Sequence, residues 1–279
     1  MTQTPRQRSI LITGCSSGIG FASARVMKER GWRVLATART DEDRERLARE
    51  VGVETLCLDL ADPASIAQCA RETLELVDVN LDALFNNAAY GQVGAVEDIT
   101  PEVLRRQLEV NVVGTHDLTR RLIPAMRAAG RGRIVQCSSV LGFVSVPYRG
   151  AYCASKFALE ALSDAMRHEL AGTGIHVSVI EPGPIRTRFV EHALANFRTS
   201  IDIDTSPHRE VYRARLAAME KGGKSTFKLE PEAVAQKLVH AVESPRPRRH
   251  YMVTVPTYLA AAGRRLLPAP LADWLVQRT

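Results

Sequence analysis

Two short stretches carry the residues that could do chemistry. In RGAYCASKFALEAL, Arg149 to Leu162, Tyr152 and Lys156 stand four residues apart, so on a helix they share one face and can act together. A cation within about 4–6 Å of a phenol favours the tyrosinate form, and a free tyrosine titrates near pH ~10, so such a pair can move protons. Taken alone, the pair is also an ordinary surface arrangement. The second stretch is LITGCSSGIGFASARVMKERG, where a β-like run meets glycines at 14, 18 and 20 and then a helical pattern. Glycines there permit a tight turn and a close approach of backbone to a pyrophosphate, whose charge the helix N-terminus stabilises. Ser16, Ser17 and Ile19 complete the turn.

An acidic residue roughly 20 residues beyond such glycines would bond the ribose 2′-OH of NAD. Here the second strand-like run, WRVLATA, ends at Ala38 and is followed by Arg39. A guanidinium can hold a 2′-phosphate through forked, charge-assisted hydrogen bonds, so the position favours NADP(H) over NAD(H). Asp41 and Asp43 are the counter-case, and they suit the first turn of a helix, where the dipole favours negative charge. Further along, TPEVLRRQLEVNVVG opens with Thr100 as an N-cap and Pro101 at the first helical position. Leu104, Leu108 and Val112 predict an apolar stripe there, and Asn111 beside it needs hydrogen-bond partners if buried.

The elements that position these residues alternate along the chain. SILITG, WRVLATA, VETLCLD, LDALFNN, GRIVQCSS, IHVSVIEPG and YMVTV read as about seven strands separated by helical patterns. Nearly continuous β-branched and leucine runs mark strands buried on both faces, which predicts an α/β, Rossmann-type doubly wound parallel sheet covered by helices on both sides. A single domain over residues 1–279 is expected, with no internal repeat and no linker. The least patterned region, about 188–228, has one short helical run around Val211 to Met219 and reads as a substrate lid. Its Phe189, Phe197, Tyr212 and Phe227 suit either an apolar pocket wall or packing on the core. The basic and apolar tail, about 257–279, holds Arg264 and Arg265 beside Leu266, Leu267, Leu271, Trp274 and Leu275. It suits a helix docked on the domain or on a partner subunit, or one touching a membrane surface.

Composition narrows the class. With 45% hydrophobic and 24% charged residues, the chain lies far from disordered, collagenous and disulfide-scaffold proteins. Five cysteines and seven histidines are scattered with no metal-ligand spacing, so reduced thiols and no metal are expected. A net charge of +6 is mild and calls for no nucleic-acid partner. The N-terminal residues lack an apolar signal region, and no stretch approaches the ~18 apolar residues of a spanning helix, so a cytoplasmic location is expected.

Taken together, TGCSSGIG, NNAA at 86–89, Asn111 within EVNVVG, the serine of QCSS, AYCASK, and EPGPIRT at 181–187 resemble the short-chain dehydrogenase/reductase family over residues 8 to 255. VLATAR, RGAYCASKFALEALSDAMRHEL and EPGPIRTRF look closest to its branch of NADP-dependent aldehyde, retinol and hydroxysteroid reductases. The resemblance implies an oxidoreductase interconverting a carbonyl and its alcohol, with Tyr152 as general acid in reduction and general base in oxidation. It makes Lys156 the cation beside Tyr152 and the holder of the nicotinamide ribose. Of Ser138 and Ser139, the family's spacing to the tyrosine selects Ser139 to bond the substrate oxygen. Asn111 becomes the position whose backbone carbonyl holds a water leading to Lys156. Cofactor contacts carry over to Gly14, Ser16, Ser17, Gly18, Ile19, Gly20, Arg39, Asp59, Leu60, Asn87, Ala88, Tyr152, Lys156, Pro182, Ile185 and Thr187. Where the family has N-N-A-G, this chain has Ala89, whose methyl group could restrict the backbone there or shift the Tyr90-Gly91 loop.

The resemblance also implies a homodimer or homotetramer built on the helices bearing Asn111 and Tyr152, and a small-molecule carbonyl or alcohol substrate. A competing reading is a non-enzymatic NADP(H)-sensing regulator on the same fold. Such a protein would be expected to lose the tyrosine or the lysine, whereas Asn111, Ser139, Tyr152 and Lys156 are all present.

Overall fold

The computed structural model describes residues 6–220 and 227–277. Seven strands form one parallel sheet: β1 (Ser9–Ile12), β2 (Arg33–Ala38), β3 (Glu54–Cys57), β4 (Ala83–Asn86), β5 (Gly132–Cys137), β6 (Ile175–Glu181) and β7 (His250–Met252). Their order across the sheet is β3-β2-β1-β4-β5-β6-β7, so the chain reverses its direction of winding between β1 and β4. In open sheets of this type, ligands bind at the carboxyl ends of the strands beside that reversal.

Between the strands run α1 (Gly18–Glu29), α2 (Asp41–Val51), α3 (Pro63–Leu76), α4 (Pro101–Leu108), α5 (Thr115–Ala128) and α6 (Gly150–Glu169). After β6 come α7 (Phe189–Ser200), α8 (Arg209–Glu220) and α9 (Glu232–Glu243), and after β7 α10 (Val255–Leu266) and α11 (Ala269–Gln277). Side chains alternate across the sheet as strand pleating requires. Ile10 and Ile12 pack with Met27 of α1 and Leu238 of α9 on one face, while Leu11 packs with Ile66 of α3 and Leu122 of α5 on the other.

Helix starts follow the local chemistry. Thr40 accepts from the Asp43 N–H, Asp62 from the Ala64 N–H, and Thr100 from the Val103 N–H with Pro101 next to it. Each satisfies a backbone donor that the first helical turn leaves without an internal partner.

Three expectations change. The stripe predicted through Leu104, Leu108 and Val112 is not the buried one: Leu104 is exposed, and the buried positions are Gln107, Asn111 and Gly114. This polar face is covered because its amides bond the Tyr90–Gln92 loop and Ser155, as detailed below. The region expected to form a lid is far more regular than its sequence pattern, because α7 and α8 occupy most of it. Phe197 and Tyr212 bury themselves with Ala95 and Ile201 in a separate small core. Lid residues 221–226 and tail residues 278–279 lie outside the described residues. Ala89 needs no left-handed backbone, since among the described residues the non-glycine residues of positive φ are Asp78, Val79, Tyr148 and Phe227.

The tail forms α10 and α11, with Leu259, Leu266, Leu271 and Trp274 exposed, and Arg264 ties it to the domain by donating to the Phe143 carbonyl at 2.9 Å. Among the described residues, no helix is long and apolar enough to cross a membrane.

Candidate active site

The turn after β1 is held open by close packing. Gly14 and Gly18 adopt the left-handed backbone that favours glycine, at φ +70 and +58. A Cβ on Gly20 would come within 2.1 Å of the Gly14 carbonyl oxygen, so a side chain there would force turn and helix apart. Two threonines that sequence reasoning missed fix the turn from behind. Thr13 Oγ1 accepts from the N–H groups of Asn87 and Ala88 at 2.9 and 3.0 Å. Thr37 accepts from the Gly14 N–H through its hydroxyl and from the Cys15 N–H through its carbonyl. Asn87 donates from Nδ2 to the Thr13 and Gly14 carbonyls, so its amide is a strut between β4 and the turn. Ala88 lies under Gly14, and the Thr187 methyl group rests on Gly18. The turn with the α1 N-terminus is therefore a cradle in which side chains have been removed and backbone N–H groups presented, which fits a dinucleotide pyrophosphate.

At the other end of the cradle, Arg39 is exposed and makes no ion pair among the described residues. The two aspartates that could argue against a 2′-phosphate are both engaged, Asp41 by Arg44 and Asp43 by Arg46. Arg46 also donates to the Ser16 carbonyl, which brings a second guanidinium to the turn from α2. Asp59 receives the Ala61 N–H at 2.9 Å, and the Leu60 carbonyl presses against Gly114, where a Cβ would lie 2.0 Å away. Pro182 and Ile185 follow β6, with Ile185 bridged to Leu229.

Tyr152, Lys156, Ser139 and Asn111 come together beyond the ends of β4 to β6. Tyr152 and Lys156 are buried on α6, and Lys156 Nζ lies 5.7 Å from the Tyr152 ring centroid. Lys156 Nζ donates to the Cys137 carbonyl at 2.7 Å, which fixes the ammonium under the end of β5. Ser139 caps a short 3-10 turn, Val140–Gly142, by accepting from the Leu141 N–H at 3.1 Å. Ser138 Oγ is buried instead against Gly142, where Glu160 Oε1 also lies.

Asn111 sits in a π-helical segment, Glu109–Gly114, between α4 and α5. Its amide is fully used: Oδ1 accepts from the Tyr90 N–H at 2.7 Å, and Nδ2 donates to the Tyr90 carbonyl and to Ser155 Oγ. Gln107 does the same one turn earlier, accepting from the Gln92 N–H and donating to the Tyr90 carbonyl. These two amides clamp the Tyr90–Gln92 loop against α6. Phe189, at the start of α7, lies on the Tyr152 ring at 5.4 Å between centroids, and only a glycine at 91 leaves it room.

Electrostatics correct the simple view of the Tyr152–Lys156 pair. Burial pushes the Tyr152 phenol well above its ordinary range, and the field of Cys137 adds to this, while Ser139 and Arg149 act in the opposite sense. Burial also lowers Lys156, against smaller opposing contributions from Cys137 and Glu160. The lowering of Tyr152 expected from a neighbouring cation is outweighed, because both groups are taken out of water.

The profile of the protein family described as short chain dehydrogenase matches residues 8–198. The chain is 43% identical over 277 residues to the uncharacterized oxidoreductase YbbO of Escherichia coli K12, covering 99% of this chain and 97% of that one. It is 34% identical to human retinol dehydrogenase 16 over 280 residues, 96% of this chain and 87% of that one. A solved short-chain dehydrogenase from Streptomyces avermitilis superposes with a TM-score of 0.81 at 29% identity, covering 97% of each chain. Solved matches carry either dinucleotide. An actinorhodin polyketide ketoreductase holds NADPH, at TM-score 0.72, 27% identity and 88% and 95% coverage. A Burkholderia phymatum member holds NAD, at TM-score 0.79, 25% identity and 93% and 92% coverage.

Proposed function

Because the chain belongs to the short-chain dehydrogenase family of oxidoreductases, we propose that it is an NADP(H)-dependent enzyme interconverting a lipophilic aldehyde or ketone and its alcohol. The observation that carries this is the buried convergence of Tyr152, Lys156 and Ser139 beside the glycine cradle, under the aromatic side chain of Phe189.

In this reading the cofactor is held by the turn Gly14 to Gly20, with Ser16, Ser17 and Ile19 presenting backbone N–H groups. Asp59, Leu60 and Ala88 line it on one side, Pro182, Ile185 and Thr187 on the other. When bound, the nicotinamide supplies or accepts the hydride. Every other step falls to the chain's own residues. Ser139 holds the substrate oxygen, and Tyr152 gives that oxygen its proton from the hydroxyl. A phenol raised by burial keeps its proton until the substrate oxygen is in place, so Tyr152 enters the reductive direction as acid and serves the oxidative direction as base. Lys156, anchored on the Cys137 carbonyl, stabilises the tyrosinate left behind. Asn111 keeps the Tyr90–Gln92 loop and α6 in register through its side chain, and its backbone serves the proton path. Phe189 excludes water from the Tyr152 ring.

The NADP(H) preference is supported by an exposed Arg39 that makes no ion pair among the described residues, and by the engagement of Asp41 and Asp43 elsewhere. Retinol dehydrogenase 16, by its name, acts on a lipophilic alcohol, in keeping with the apolar residues around Tyr152. Assembly as a homodimer or homotetramer through α4, α5 and α6 is supported by Leu104 and Val113, apolar yet exposed on that surface.

The test is NADPH oxidation followed by absorbance with aliphatic aldehydes, aromatic aldehydes, retinal and ketosteroids, in the wild type and Tyr152→Phe. A positioned acid is worth about 10²–10⁴ in rate, so the variant should lose turnover by that factor. Equal rates in the two proteins would refute the assignment.

A further inference from the structure

Deepening the reading above, we infer that the substrate of this site carries a carboxylate at the end of its apolar body, received by Arg149 and Arg215 in a cavity between α6, α7 and α8.

The cavity holds about 30 Å³ of space, where a single water needs roughly 10–15 Å³, so a carboxylate-sized group fits. Val93, Leu194, Phe197 and Leu216 make its apolar wall, and the two arginines supply its charge. Among the described residues, no carboxylate lines it. Arg149 and Arg215 make no ion pair among the described residues, although neighbouring arginines of the lid do: Arg213 pairs with Asp204 at 2.8 Å, and Arg188 with Glu191. Nearby acids are taken up elsewhere. Asp98 accepts from the Tyr212 and Ser206 hydroxyls, and Glu97 faces His208 at 2.6 Å.

A largely desolvated guanidinium without a counter-charge is costly, and a wall of apolar residues around two of them strengthens any anion that enters. Burial lowers Arg149, and the charge of Arg215 lowers it further, so the two cations oppose each other until an anion lies between them. The backbone holds them there at a cost. Tyr148, directly before Arg149, takes a left-handed backbone at φ +65, a strained conformation for a non-glycine residue. Its ring carries the Arg215 guanidinium at 4.6 Å from the centroid, fixing α8 over the cavity.

The cavity also belongs to the catalytic side of the molecule. Arg149 precedes Tyr152 by three residues, and its positive charge reaches the phenol. A substrate whose carbonyl sits at Tyr152 would therefore point its far end toward the lid, away from the glycine cradle. The apolar wall of Val93, Leu194, Phe197 and Leu216 would select a hydrocarbon chain or ring system, and the arginines its anionic terminus. An ω-oxo fatty acid, or another oxo acid with its charge remote from the carbonyl, has this chemistry.

The experiment compares ω-oxoalkanoates with n-alkanals of equal length as NADPH-dependent substrates of the wild type, Arg215→Met and Arg215→Lys. A charge-assisted contact makes the oxo acid better in kcat/KM by about 10- to 100-fold in the wild type. Arg215→Met should bring that ratio toward one, mainly through KM, and Arg215→Lys should restore part of it. A wild-type ratio near one, or a ratio unchanged in Arg215→Met, overturns the inference while leaving carbonyl reduction standing. Calorimetric titration with alkanoates and the matching alkanols separates the two readings. If no carbonyl is turned over, tighter binding of the alkanoate that Arg215→Met abolishes still supports the anion pocket, and equal binding of acid and alcohol sinks it.

Discussion

Glu160 lies one helical turn beyond Lys156 on α6, and its environment makes stability depend on pH in a direction opposite to that of most carboxylates. Its Oε1 lies beside Ser138 Oγ against Gly142, and its Oε2 lies 3.8 Å from His250 Nδ1. That imidazole is bonded to Glu181 at 3.0 Å and faces Asp164 at 3.8 Å. Burial, aided by the negative charges of Glu181 and Asp164, pushes Glu160 up from 4.5 to about 7. The hydrogen bond to Glu181 raises His250 above its ordinary value. Both groups therefore hold protons in the folded chain at pH values where the unfolded chain has released them. Their contribution is complete below the unfolded pKa and is lost as pH rises through the folded one. For Glu160 the span from 4.5 to about 7 corresponds to about 3 kcal/mol, lost between pH 4.5 and 8. Glu160→Gln keeps the shape and removes the titration. Urea unfolding at pH 5 to 9 should show the wild type losing stability with rising pH, and the variant losing about 3 kcal/mol less over the same range. Parallel curves for the two proteins would show that Glu160 does not titrate in this window and would refute the reasoning.

The remaining predictions concern the cradle. Arg39→Asp should lower the ratio of kcat/KM for NADPH over NADH by about tenfold or more, since it removes a charge-assisted contact to a 2′-phosphate and adds a repulsion; an unchanged ratio would disprove the role given to Arg39. Gly20→Ala places a methyl group 2.1 Å from the Gly14 carbonyl oxygen. It should cost about 1–3 kcal/mol in unfolding measurements and weaken NADPH binding in a fluorescence titration, as overpacking does. A variant with wild-type stability and affinity would mean that the turn is looser than its contacts indicate.

Much of the architecture was legible because strand pleating and helix periodicity write themselves into local sequence. Ile10, Leu11 and Ile12 announce a strand buried on both faces, and Thr100-Pro101 announces a helix start. Local pattern misled where the tertiary partner decides. Leu104, Leu108 and Val112 have the spacing of a core stripe, yet the buried face of that helix is polar, because Gln107 and Asn111 are matched to backbone groups of a loop many residues away. The struts of the cradle were invisible for the same reason. Thr13 meets Asn87 across 74 positions, and Arg46 reaches Ser16 across 30.

The sharpest difference between spacing and structure lies in the Tyr152–Lys156 pair itself. Four residues on a helix establish that a phenol and an ammonium are neighbours, and neighbourhood alone argues for an easily ionised tyrosine. Burial reverses the sign, raising the tyrosine and lowering the lysine together, because each charged form has lost its water. Lys156 is held in place meanwhile by the Cys137 carbonyl, to which it donates at 2.7 Å. The raised phenol is therefore a property of desolvation by Phe189 and the strand ends, elements that lie apart from Tyr152 in the chain and meet it only when the chain is folded.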